Sequence, residues 1–204
     1  MQRPLFIYVH GFNSSPASIK AQLFGQYLID FQVDADYEVP ELSHWPTQAI
    51  SQLETIIAAN TDRTILLIGS SLGGFYSTRL TEVHDNLRTV LVNPAVRPYA
   101  LLEAWLGDNE NLYTHEKYLL TRDHLQQLLD INCESIKDPS RYLLLVQTAD
   151  ETLDYREAVD KYPHSPQFIQ TGGSHGFDQF ENLIPAILAF SEGRVVLPPA
   201  DPLC

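Results

Sequence analysis

The sequence predicts an α/β protein, a three-layer α/β/α sandwich around a mainly parallel sheet of about six strands. Three observations lead there. Short runs rich in β-branched and aromatic residues are apolar throughout instead of alternating with polar ones, as strands covered by helices on both faces are. Segments of helical periodicity lie between those runs. Finally, 204 residues with 44% hydrophobic and 19% charged side chains suit one domain with a substantial core.

In chain order, the runs Leu5 to Val9, Thr64 to Ile68, Thr89 to Val92 and Tyr142 to Gln147 read as buried strands, with Asp36 to Val39 and Gln167 to Gln170 as weaker ones. Helical periodicity covers Ile19 to Phe31, Thr47 to Ala59, Leu72 to Val83 and Phe177 to Phe190. Ser18, Pro46 with Thr47, and Ser71 stand where a cap or first-turn residue belongs. Between residues 96 and 139 the alternation lapses into a polar-aromatic stretch with helical pieces, YALLEAWL and KYLLTRDHLQQLLDI, which reads as an inserted cap. One domain then spans residues 1–192, with its strands in the order 2-1-3-4-5-6. Gly193 stops the last helix, and the prolines after it make residues 193–204 a loose extension.

Thirteen Lys and Arg against 26 Asp and Glu give a formal charge of -13. A nucleic-acid or anionic-lipid binder needs the opposite balance to neutralise phosphates. No stretch approaches the roughly 18 apolar residues of a membrane span, and the Leu5 to Val9 run is shorter than the apolar segment of a signal peptide. Cys133 and Cys204 have no metal-binding spacing. The expectation is a cytoplasmic protein without disulfides.

Chemistry concentrates in four segments. In TILLIGSSLGGFYS, residues 64 to 77, an apolar strand runs into Gly69-Ser70-Ser71-Leu72-Gly73 and then a helix, which is G-x-S-x-G in strand-turn-helix context. A serine presented above a sheet edge needs a sharp turn and small neighbours. No Gly-Lys-Ser/Thr follows, which excludes a Walker-type loop. After the first strand comes His10-Gly11-Phe12-Asn13-Ser14-Ser15-Pro16. There the Phe12 N–H is a candidate donor to an oxyanion, with the Leu72 N–H at a helix N-terminus as its partner. A plain strand-to-helix turn is the bland reading of that segment.

The third segment, TGGSHGF at 171 to 177, puts His175 between glycines on a loop at the C-terminal edge of the sheet, where open α/β folds place their ligands. The fourth ends a strand with Asp150 and Glu151. A catalytic base needs a carboxylate to fix its tautomer. Asp150 is preferred for its shorter reach, Glu151 and Asp154 remain rivals, and helix capping is the bland reading of each. The order Ser71, Asp150, His175, each just past a strand end, is the triad order of one hydrolase scaffold.

With these residues the chain resembles an α/β-hydrolase of the small bacterial YqiA-like esterase family. The matching stretches are YVHGFNSSP, IGSSLGGFY, VNPAVRP, QTADETLDY and GGSHGF, spread from residue 5 to about 190. The resemblance implies carboxylic-ester hydrolysis, with acyl-CoA thioesters as further candidate substrates, and maps nucleophile, acid and base onto Ser71, Asp150 and His175. It also implies a reduced form of the fold without a leading antiparallel hairpin, because the oxyanion loop already follows the first strand. No metal or organic cofactor is required by this chemistry, and the expected partner is a small acyl ester.

The inserted segment is expected to roof the pocket, with Tyr99, Trp105 and Tyr113 as substrate contacts beside Leu102, Leu106 and Tyr118. Packing of the insertion onto the body is the rival reading of that stripe. Only Arg97, Lys117 and Arg122 are basic there, so neutral short-chain esters are expected to be handled better than acyl-CoA. Other serine-hydrolase chemistry, or binding without turnover, stays open on the same scaffold.

Overall fold

A computed structural model describes residues 2–203, and Cys204 lies outside them. The chain runs β1 (Leu5–Val9), α1 (Ile19–Asp30), β2 (Asp36–Glu38), α2 (Pro46–Ala58), β3 (Ile65–Ser70), α3 (Leu72–Val83), β4 (Leu87–Val92) and α4 (Pro98–Leu101). It continues with β5 (Gly107–Glu110), β6 (Lys117–Leu120), α5 (Arg122–Asp130), β7 (Tyr142–Gln147), α6 (Tyr155–Lys161), β8 (Gln167–Gln170) and α7 (Ile184–Ser191).

Six strands form one sheet in the order β2-β1-β3-β4-β7-β8, and every neighbouring pair is parallel. This is the order expected from the sequence. The strands are apolar throughout because alternate residues enter different cores. Phe6, Tyr8, Leu66, Ile68, Val90, Val92, Leu143 and Leu145 pack under Phe24 of α1 and Ile184 and Ile187 of α7. Leu5, Ile7, Val9, Ile65 and Leu67 pack on the opposite face against Leu53 of α2, Phe75 and Leu80 of α3 and Leu128 of α5. Further along that second face, Tyr142, Leu144 and Val146 meet Ala158 and Tyr162 at α6.

The inserted segment departs from the helical reading. KYLL is not helical. It is β6, paired antiparallel with β5 as a two-stranded ribbon. The side chains of β6 alternate between outward Lys117 and Leu119 and inward Tyr118 and Leu120, a period of two that the neighbouring leucines mask in the sequence. Asn111 shapes the connecting turn by accepting from the N–H groups of Tyr113 and Thr114. The ribbon is stitched to the loop after β1. Leu112 N donates to Asn13 O at 3.1 Å, Asn111 Nδ2 to Ser14 O at 2.8 Å, and the Tyr118 hydroxyl to Asn13 Oδ1 at 2.7 Å.

Two further expectations change. Phe177 to Phe190 is not one helix, because Phe177 and Gln179 have positive φ, 63° and 59°. Regular α-helix begins only at Ile184, after a 3₁₀ turn at Phe180–Leu183. The extension after Gly193 carries no helix or strand, yet it is tethered: Leu203 N donates to Thr171 O at 2.8 Å, and Gln170 Nε2 to Asp201 O at 3.0 Å. Among the described residues, no helix is long and apolar enough to cross a membrane.

Candidate active site

The turn from β3 into α3 is built around Ser71, whose φ of 53° and ψ of -121° lie where L residues are strained. Three backbone bonds hold it there: Ser71 N donates to Val92 O at 3.1 Å, and Ser71 O accepts from Gly74 N and Ala95 N, each at 3.0 Å. The serine stands at the N-cap of α3, but its side chain makes no capping bond, so the hydroxyl is free for another partner. Gly73 permits this geometry by close approach. A Cβ there would lie 1.8 Å from Val9 O, so any side chain would push α3 off the end of β1 and away from the loop that follows it.

The other ends of the sheet supply that partner. His175 Nε2 lies 3.1 Å from Ser71 Oγ, and His175 Nδ1 lies 2.9 and 3.0 Å from the two carboxylate oxygens of Asp150. Asp150 is itself oriented by the N–H groups of Thr152 and Leu153, each donating to Oδ1 at 2.8 Å, and its side chain is only 2% exposed. An Nδ1–H directed at the carboxylate leaves Nε2 to accept from the serine hydroxyl. Glu151, the rival, also touches the histidine, but its Oε2 accepts from the backbone N–H of His175 at 2.9 Å. Asp154 is occupied elsewhere, as the side-chain cap of α6.

Phe12, in the loop after β1, and Leu72, the first residue of α3, flank the serine. Among the described residues, neither backbone N–H has a hydrogen-bond partner. His10 fixes the loop that carries Phe12: its Nε2 accepts from Leu42 N at 3.2 Å, which directs Nδ1–H toward Gly11 O at 3.1 Å. Burial lowers the pKa of His10 below the ordinary imidazole value, which favours that neutral form.

Ser71 and His175 open onto a cleft of about 480 Å³. Its walls include Ile19, Lys20 and Leu23 of α1, Leu112 and Tyr113 of the ribbon turn, and Phe177 and Phe180 after His175. Of the three aromatic residues expected at substrate, only Tyr113 lies on this wall. Tyr99 packs against the core cluster shared by α2, α3 and α5, and Trp105 stands edge-on to Phe12 at 5.9 Å between ring centroids. The ribbon fold is the reason, since it presents its turn to the cleft and directs the preceding helical piece against the body. Among the described residues, no group of three or more His, Cys, Asp or Glu is placed to hold a metal ion.

The family described as "Uncharacterised protein family (UPF0227)" matches residues 5–192. The chain belongs to that family. The UPF0227 protein YcfP of Salmonella gallinarum (strain 287/91 / NCTC 13346) is 23% identical over 193 residues, 91% of this chain and 98% of that protein. Among solved structures, Est1E from Butyrivibrio proteoclasticus superposes with a TM-score of 0.72 at 16% identity, covering 94% of this chain and 86% of Est1E. The monoacylglycerol lipase of Paleococcus ferrophilus gives 0.67 at 16% identity, covering 93% and 97%. This UPF0227 chain therefore has a reduced α/β-hydrolase fold.

Two residues that hold the histidine loop of the UPF0227 chain escape sequence reasoning. Asn93, just past β4, donates from Nδ2 to Ser174 O at 3.0 Å and His175 O at 3.2 Å, while its Oδ1 accepts from Gln147 N at 3.0 Å. Gln147, fully buried at the end of β7, accepts at Oε1 from Ser174 N and Asp178 N and donates from Nε2 to Asp178 O. Gly173, with φ of 76°, allows this packing, since a Cβ there would lie 2.1 Å from Gln147 Oε1. The one available signal was an amide at the C-terminal end of each of two apolar strands, where an unpaired polar group would be costly.

Proposed function

We propose that the chain is a serine hydrolase of carboxylic esters, with Ser71 as nucleophile, His175 as base and Asp150 as the acid that orients it. The observation that carries this reading is the continuous chain of contacts from Ser71 Oγ through both ring nitrogens of His175 to Asp150, on a serine held at positive φ. A tight connection or a phosphate loop has no need of such a relay.

In this reading Ser71 Oγ attacks the acyl carbonyl while His175 Nε2 takes its proton. Asp150 stabilises the imidazolium through Nδ1–H. The N–H groups of Phe12 and Leu72 hold the tetrahedral oxyanion, whose charge the N-terminus of α3 also favours. His175 returns the proton to the leaving oxygen, the alcohol departs, and water activated by the same histidine releases the acid from the acyl-enzyme. Tyr113 and the phenylalanines after His175 form the apolar side of the substrate cleft. The lipase named among the structural neighbours supports ester chemistry by analogy of fold alone.

The test is labelling of Ser71 by a fluorophosphonate probe, followed by a panel of p-nitrophenyl esters and acyl-CoA thioesters. Ser71→Ala should fold, lose the label and lose turnover. Undiminished turnover by that folded variant, or an unlabelled folded wild type, refutes the reading. A thioester preferred across the panel would assign the leaving group to sulfur.

A further inference from the structure

The three cations expected from the inserted segment are all engaged at the surface, Arg97 with Glu157, Lys117 with Glu110 and Arg122 with Glu103. The cleft that contains Ser71 and His175 has a different cation. Lys20, in the first turn of α1, lies on the cleft wall, and its Nζ donates to Gly176 O at 2.8 Å. An ammonium carries three donors, so two remain for an occupant of the cleft. Burial lowers the Lys20 pKa to about 8, against the opposing pull of Asp150, so the group is cationic at neutral pH.

Two hydroxyls on the same cleft also lack partners. Tyr8 Oη and Ser18 Oγ are buried, and neither makes a hydrogen bond. Tyr8 is 1% exposed and packs beneath α1; Ser70 lies beside its hydroxyl without reaching bonding geometry. Ser18 is the N-cap of α1, where a serine oxygen ordinarily accepts from a first-turn N–H, but it makes no such bond. Buried hydroxyls are seldom left unsatisfied. Of the two carboxylates on the cleft, Asp178 accepts from Ser174 Oγ at 2.7 Å, and Glu181 is exposed.

An ammonium with free donors and two orphan hydroxyls match a carboxylate, which offers two oxygens and about four lone pairs. We propose that the preferred substrate is an ester that carries a free carboxylate, paired with Lys20 Nζ in the part of the cleft that Tyr8 and Ser18 also line, while its ester carbonyl meets Ser71. This rests on the esterase reading and adds a substrate class to it. It also replaces the expectation of a neutral short-chain ester.

The carboxylate can sit on either side of the scissile bond, so the test uses three substrates: p-nitrophenyl pentanoate, which is neutral, mono-p-nitrophenyl glutarate, with an acyl-side carboxylate, and 4-(butanoyloxy)benzoate, with a leaving-group carboxylate. The readout is the ratio of kcat/KM for each anionic ester to that for the neutral one. Any general damage from losing the Gly176 contact cancels in that ratio. In Lys20→Met the ratio should fall about 30-fold for one anionic ester, mainly through KM, and Lys20→Arg should restore part of it. Calorimetric binding of free glutarate and 4-hydroxybenzoate to wild type and Lys20→Met gives a readout independent of turnover, and one ligand should weaken at least tenfold. An unchanged ratio together with unchanged binding overturns the proposal and leaves Lys20 as a tether of the histidine loop. Lysine-dependent binding in a protein that turns over no ester would instead overturn the esterase reading and keep the carboxylate site.

Discussion

Replacing Asn93 by alanine should uncouple His175 from Ser71 by releasing the loop that carries the histidine, with neither of those two residues substituted. The amide makes three hydrogen bonds, two to the loop carbonyls of Ser174 and His175 and one from Gln147 N. Losing the two donated bonds costs about 1 kcal/mol each, and leaving the Gln147 N–H buried without a partner costs about 1–3 kcal/mol more. Asn93 also sits at φ of 40°, a conformation asparagine tolerates better than alanine does. The sum, about 3–5 kcal/mol, corresponds to a Tm lower by about 6–20 °C for a chain of this size. A histidine displaced by about 1 Å loses on the order of a hundredfold in rate. Melting by circular dichroism, kcat/KM on p-nitrophenyl butyrate and the rate of fluorophosphonate labelling measure the three consequences. Asn93→Asp is the informative companion, because it keeps the acceptor for Gln147 N but turns an acceptor toward two carbonyls, so it should impair labelling at least as much. If Asn93→Ala melts early yet keeps turnover and labelling within threefold of wild type, the loop is held by other contacts and the reasoning fails.

Asp150→Asn should lower kcat by about 10⁴ through loss of the correct tautomer, whereas Glu151→Gln, which can still accept from His175 N, should change it by less than about fivefold; the opposite ranking in steady-state kinetics would move the acid role to residue 151. Ser71→Gly should melt a few degrees above Ser71→Ala, because glycine takes the backbone strain at φ of 53° that costs alanine about 1–3 kcal/mol, and equal melting points would show the turn to be unstrained. Acid should destabilise the fold through its imidazoles. Burial first, then the charge of neighbouring His44, lowers the pKa of His124 to about 4, and burial lowers those of His10 and His44 too. The unfolded chain therefore binds more protons between about pH 6.5 and pH 4, and stability present above that window is lost as pH falls through it. His124→Phe should be less stable than wild type at pH 7.5, and the gap between their Tm values should narrow by pH 4.5. A gap that stays constant across that range would remove His124 from the linkage.

The strands, their order and the serine turn are legible in the sequence because each rests on a local demand. A strand covered on both faces must be apolar at consecutive positions, as Ile65 to Ile68 are, and a turn that drives α3 against Val9 must place glycine at 73. The periodicity of KYLL fails for the opposite reason. Four residues fit a helix or a strand equally, and the pairing with Gly107–Glu110 that decides between them lies outside the segment. The site divides in the same way. Ser71, Asp150 and His175 can be named from where they follow strands, but the choice between adjacent carboxylates depends on which one faces an imidazole ring and which one faces its backbone. Asn93 bridges to residues 54 and 81 positions away, and Lys20 reaches a carbonyl 156 positions away. No contiguous pattern marks such partners. Strand order and helix packing bring them together, so the support of the histidine loop and the charge within the cleft were decided by the tertiary fold.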